Sequence, residues 1–184
     1  MIKNIVLSFF LLTSFCIAQE ETLQAGIKYT EASARIEAFD NVQNKMPKDF
    51  YRDFLKDPNY EENKKMIEEK KLTLENQRSL CPFYLKKILI SYAVAYNDEQ
   101  TIVPYYNALG SLIRFDVISN TDYPRKIYGY SRYGNLLSVA LEISNEEQFV
   151  YNENGKLIAH WQNNEMKDKE GKIPKILKLT RETN

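Results

Sequence analysis

A tyrosine, a glycine four positions later and a leucine two beyond that recur three times, as Tyr106/Gly110/Leu112, Tyr130/Gly134/Leu136 and Tyr151/Gly155/Leu157. Each glycine stands between strand-forming residues, where a tight turn needs positive φ, so the pattern predicts a tandem series of β-hairpins. A longer similarity supports it: Ile90 to Gln100 lies against Leu137 to Gln148 with one residue of slack. The second copy alternates Leu137, Val139, Leu141 and Ile143 on one face, so the otherwise ambiguous Leu85 to Tyr96 is read as strand. Expected strands are 88–96, 101–106, 111–118, 125–131, 136–144, 148–152 and 156–163. Short turns between consecutive strands make them an antiparallel meander of about seven. A degraded fourth turn is expected at Gly171, with a weak strand or frayed basic tail beyond Pro174.

The preceding stretch, about 20 to 78, has helical composition. A helix over Glu31 to Gln43 offers Ile36, Phe39 and Val42 as its apolar stripe. Pro47 and Pro58 sit at helix starts, and Asn59 with Glu62 reads as a capping box for a mostly solvated helix running to about Lys71. Cys81-Pro82 marks the change of regime. One face of the sheet needs cover, and the helices supply it. The expected fold class is α+β: a helical segment over 19–80 packed on a β-meander over 81–184, in one compact domain.

Residues 1–18 combine Lys3, an apolar run from Ile5 to Leu12 and small residues Cys16 and Ala18 before polar Gln19-Glu20-Glu21, which reads as a secretory signal peptide. The mature chain is therefore expected to be secreted or periplasmic, without integral membrane association. Cleavage leaves 24 basic and 25 acidic residues of the 25 and 25 in the full sequence. Neither half has the basic surplus of a nucleic-acid binder, so no nucleic-acid partner is expected. Only Cys81 remains after cleavage, which precludes an intramolecular disulfide and makes it a small buried residue.

The spacing in YYNALGSL, YSRYGNLL and YNENGKLI resembles the YD repeat of Rhs-type and teneurin-type proteins, over about residues 88–173. Asn107, Ser131 and Asn152 stand where that family has Asp. All three can make the same side-chain to backbone turn bonds. The chain is also similar to the MORN-type repeats of small bacterial secreted proteins, which share a glycine-turn hairpin. The resemblance implies the hairpin architecture and no catalytic residue.

His160 is the only histidine, which removes a two-histidine metal site. It should face away from Leu157, Ala159 and Trp161, with Trp161 a core anchor. Asn152, Asn154 and Gly155 are part of a calcium-loop pattern, but Val150 and Trp161 occupy positions where carboxylates are required. Gly129 and Gly134 have P-loop spacing, yet Asn135-Leu136 replaces the phosphate-binding Lys-Ser/Thr. Glu146 and Glu147 fall in an exposed turn, where nothing raises a carboxyl pKa. No catalytic residue, cofactor or metal site is assigned. The repeat tyrosines are expected to stack along one face. Tyr105, Tyr128 and Tyr133, with Arg125 and Arg132, are the candidate surface for a protein or surface-glycan partner. The functional expectation is a non-enzymatic binding protein. Its alternative is a structural or accessory subunit of an envelope or toxin-related assembly.

Overall fold

The computed structural model describes residues 29–74, 77–96, 102–119, 122–163 and, by backbone alone, 165–167. The expected signal peptide and the expected fourth turn at Gly171 lie outside these residues. The described chain is mostly β, with short helices ahead of the sheet, and so is broadly α+β.

Among the described residues ten antiparallel strands follow one another in strict sequence order. They are β1 Thr73–Leu74, β2 Arg78–Leu85, β3 Ile88–Tyr96, β4 Ile102–Asn107, β5 Leu112–Ile118, β6 Arg125–Ser131, β7 Leu136–Ser144, β8 Glu147–Asn152, β9 Leu157–Gln162 and β10 Glu165–Lys167. The expected count of seven was too low because β1, β2 and β10 were missed, and the sheet begins at Thr73, ahead of Cys81. Pro82 hid β2: it lies within that strand opposite Tyr92, near the sheet edge, where its missing N–H is tolerated.

The seven-residue spacing has a direct geometric cause. Each repeat tyrosine pairs across the hairpin with its own leucine, Tyr106 with Leu112, Tyr130 with Leu136 and Tyr151 with Leu157. The glycine between them has φ of +73°, +78° and +73° in turn, the left-handed region that favours glycine. Its N–H donates to the carbonyl of Asn107, Ser131 or Asn152 at 2.9 Å in every copy. The side chains of those three residues then accept two further turn N–H groups each, those of Leu109 and Ser111, Tyr133 and Asn135, and Asn154 and Lys156. Beside each tyrosine the register slips by one residue. Ile113, Leu137 and Ile158 are the extra residues of these bulges.

The helices are α1 Glu31–Phe39, α2 Lys48–Tyr51, continued by a 3-10 turn Arg52–Phe54, and α3 Tyr60–Glu68. Thr30 and Ser33 cap α1 reciprocally. Its buried residues are Ala34 and Ala38, whereas Ile36 is 76% exposed. Of the expected stripe, Phe39 and Val42 do pack against the core, but Ile36 does not, because the small Ala34 and Ala38 let α1 lie close on β7 and β8. The cap of α3 also differs: Asn59 makes no side-chain cap bond, and the Asp57 carboxylate accepts the Asn59 N–H instead, at 2.9 Å.

The repeat tyrosines lie between helices and sheet. Tyr106, Tyr130 and Tyr151 are buried with Tyr92, Phe115, Val139 and Leu141 in a core that includes Ala34, Ala38, Met46, Tyr51, Met66 and Ile67. They do not stack on one another. Tyr130 stacks on Phe115, which also stacks on Tyr51, while Tyr106 meets Tyr92 and Tyr151 meets Phe39 edge-on. Tyr130 donates to the Gln43 carbonyl at 2.8 Å and Tyr151 to that of Glu31 at 3.0 Å, tying the N-terminal segment to the sheet. The opposite face is also buried, around Phe83, Tyr105, Ile127, Val150 and Trp161. Trp161 is thus a core residue, but Leu157 lies on the helix-side face, because the bulge beside Tyr151 reverses the alternation.

Candidate interaction surface

In an antiparallel meander every second connection falls at the same end of the sheet. The β2–β3, β4–β5, β6–β7 and β8–β9 turns therefore form one row, with about 10 Å between successive hairpins at two strand spacings each. Backbone bonds join neighbours in the row: Ala108 N–H donates to the Ile90 carbonyl at 3.2 Å and Arg132 N–H to the Ile113 carbonyl at 3.1 Å.

Two N-terminal segments brace this row in the same way. Met46 N–H donates to the Gly134 carbonyl at 2.8 Å, and Leu136 N–H to the Asn44 carbonyl at 2.9 Å. Asp57 N–H donates to the Gly110 carbonyl at 2.8 Å, and Leu112 N–H to the Leu55 carbonyl at 3.1 Å. The central residue of each brace is a lysine, Lys45 opposite Asn135 and Lys56 opposite Ser111. A proline follows two residues later, Pro47 or Pro58, and the next helix begins. A tyrosine ring closes over each glycine, Tyr51 on Gly134 and Tyr60 on Gly110; at Gly155 the Arg35 guanidinium takes that place.

The row is cationic and its tips are apolar. Lys45, Lys56, Lys86, Lys87, Arg132 and Lys156 lie in the turns and braces, and Arg35 lies over Gly155, against the acids Glu153 and Asp57. Asp57 is buried, accepting from Tyr92 at 2.6 Å and Asn63 at 2.9 Å. Among the described residues none of the seven cations forms an ion pair, while Lys65, Lys71, Arg78, Arg114, Arg125 and Lys126 all do. Lys86 and Lys87, at φ +48° and +69°, make the two-residue turn between β2 and β3. Tyr84, Leu85 and Ile88 flank it, all more than half exposed. Leu109 tips the next turn at 78% exposure and Tyr133 the third at 65%, with the Arg132 guanidinium over its ring at 5.2 Å. The bulge residues Ile113, Leu137 and Ile158 form a second, half-exposed row just behind the tips.

The five residues expected from sequence to form a platform are divided by the fold. Tyr133 and Arg132 are exposed in the row. Tyr105 is 0% and Arg125 4% exposed, both on the buried second face, so neither offers surface. Tyr105 donates to Asp116 at 2.9 Å beneath the Arg114 guanidinium. Burial, with the Asp116 charge, holds its phenol well above the ordinary value. Burial works against the Arg114 charge, but Asp116 and Tyr105 together outweigh it and raise that pKa. Arg125 is ion-paired with Glu142, which also accepts from Gln148 at 3.2 Å. Tyr128 lies half-buried on the helix side. Burial, then Asp40 and Glu37, raise its phenol. His160 stacks on Phe149 at 4.0 Å and bonds Glu147 at 3.0 Å.

Lys86, Lys87, Leu85, Ile88 and Leu109, and the braces with them, were not expected from the sequence. The Lys-x-Pro pattern repeated at Lys45 and Lys56, and an aliphatic residue after each repeat leucine, were the available signals. Among the described residues no group of three potential metal ligands lies together, and no helix is long and apolar enough to cross a membrane. No protein-family model matches the chain, and comparisons with curated proteins and with solved structures likewise return no match.

Proposed function

We propose that the chain is a secreted or periplasmic, non-enzymatic binding protein that docks on its partner through the row of hairpin turns. The supporting observation is the separation of roles among the side chains. The repeat tyrosines are consumed in packing, while the tips combine unpaired cations with Leu85, Ile88, Leu109 and Tyr133 in the open. Exposed aliphatic and aromatic side chains clustered among charges mark interaction sites. Rigid turns, fixed by side-chain caps and braced from the helical layer, present them without a large ordering cost.

The test is site-specific photo-cross-linking in the envelope fraction of the native host. A photoreactive residue at Leu109 is expected to give a discrete adduct, and one at Glu146, in the β7–β8 turn at the opposite end, none. Equal labelling at both positions, or none at Leu109, would refute the docking surface.

A further inference from the structure

The charge is distributed along the strand axis although the full sequence is balanced at 25 basic and 25 acidic residues. Within the turns and braces the cations Lys45, Lys56, Lys86, Lys87, Arg132 and Lys156 stand against exposed Glu153 and buried Asp57, and Arg35 of α1 lies over Gly155 with Glu31 one turn away on the same helix. A purely polyanionic partner would account for these cations but not for Tyr84, Leu85, Ile88, Leu109 and Tyr133, all more than half exposed beside them. An apolar protein surface would account for the side chains but would leave the unpaired cations to be desolvated. A surface that is anionic at its face and apolar just beneath satisfies both.

The geometry points to an anionic lipid bilayer surface as the partner of the turn row, an inference that rests on the docking reading above. Three of the four tips carry apolar side chains, at Tyr84/Leu85/Ile88, Leu109 and Tyr133, and they follow one another along the sheet end. Set against a bilayer, Leu85, Ile88 and Leu109 reach the boundary between headgroups and acyl chains. Tyr133 fits the interfacial level favoured by amphipathic rings. Lys86 and Lys87 extend their ammonium groups back to the phosphates while their stems stay among the apolar tips. Lys45, Lys56, Arg132, Lys156 and Arg35, in or against the other turns, add positive charge at the same end of the sheet. The contact is peripheral and reversible.

The test uses the full mature protein and vesicle sedimentation. Phosphatidylcholine vesicles containing about a quarter phosphatidylglycerol are expected to bind it at least about tenfold more tightly than phosphatidylcholine alone, and strong salt should remove the difference. The double charge reversal Lys86→Glu/Lys87→Glu should lower partitioning by about tenfold or more. Leu109→Ser/Tyr133→Ser, at exposed positions with circular dichroism as the check on folding, should also weaken it severalfold. Binding insensitive to Leu109→Ser/Tyr133→Ser would make the surface a simple polyanion site and overturn the lipid assignment. So would equal binding to neutral and anionic vesicles, or none to either. If vesicles fail while the Leu109 adduct still forms, the lipid partner is refuted and the docking surface stands.

Discussion

At the scale of single residues the three turn glycines share one conformation but differ in what lies above them. A Cβ on Gly134 would come within 2.5 Å of the carbonyl oxygen of Met46, a residue whose N–H is bonded to the Gly134 carbonyl and whose backbone cannot easily give way. On Gly155 it would meet only the end of the Arg35 side chain, at 2.7 Å, which can swing away. Gly155→Ala should therefore cost about 1 to 2 kcal/mol through backbone strain alone. Gly134→Ala adds overpacking and should cost about 2 to 5 kcal/mol. Lys156→Ala, beside the same turn, should stay within about 0.5 kcal/mol. Urea unfolding midpoints for the three variants check the order, and equal losses at Gly134 and Gly155 would contradict it. The glycines and their Asn or Ser partners were legible in the sequence because all the bonds that define such a turn close within five residues.

At the scale of elements, one carboxylate joins the braces, α3 and the sheet. Asp57 accepts from Asn59 N–H, the Asn63 amide and the Tyr92 hydroxyl, and Asn63 in turn accepts from Arg78 at 2.7 Å. Asp57→Ala removes the acceptor and leaves three donors without it in a buried site, which should destabilise by roughly 2 to 4 kcal/mol. Hydrogen exchange should then show α3 opening before the central strands. Protection of α3 that survives the substitution would exclude this role. The sequence placed the N-cap at Asn59, where it is, but not the carboxylate that serves it: Asp57 takes the Asn59 N–H, and a capping-box spacing says nothing of a partner thirty-five residues away on β3. Strand β2 was missed for a related reason: Pro82 argues against a strand on local grounds, and only its edge position makes it tolerable.

At the scale of the whole molecule the helical layer and the sheet are joined by neutral tyrosine hydroxyls, which gives stability an alkaline limit. Burial pushes the Tyr130 phenol up to about 12, and it raises Tyr92, Tyr106 and Tyr151 as well. An unfolded tyrosine titrates near 10. The stability tied to the neutral phenols is therefore complete below about pH 10 and falls as pH rises through about 12. Tyr130→Phe should lose about 1 kcal/mol at neutral pH with its bond to Gln43, and its stability should fall less steeply above pH 10. Parallel pH profiles for variant and wild type would contradict the assignment.

What the sequence determined by itself is the repeated hairpin: the turns, the strand order and most strand limits follow from residues within a few positions of each other. What only the tertiary structure decided is which side chains remain outside. A one-residue bulge beside each repeat tyrosine resets the alternation and turns Ile113, Leu137 and Ile158 outward. Helices on one face and a buried second face take in Tyr105 and Arg125, while the turn end stays open with its lysines unpaired. Periodicity along a strand can assign residues to two faces, but it cannot say which face is covered, because cover comes from chain segments far away in sequence.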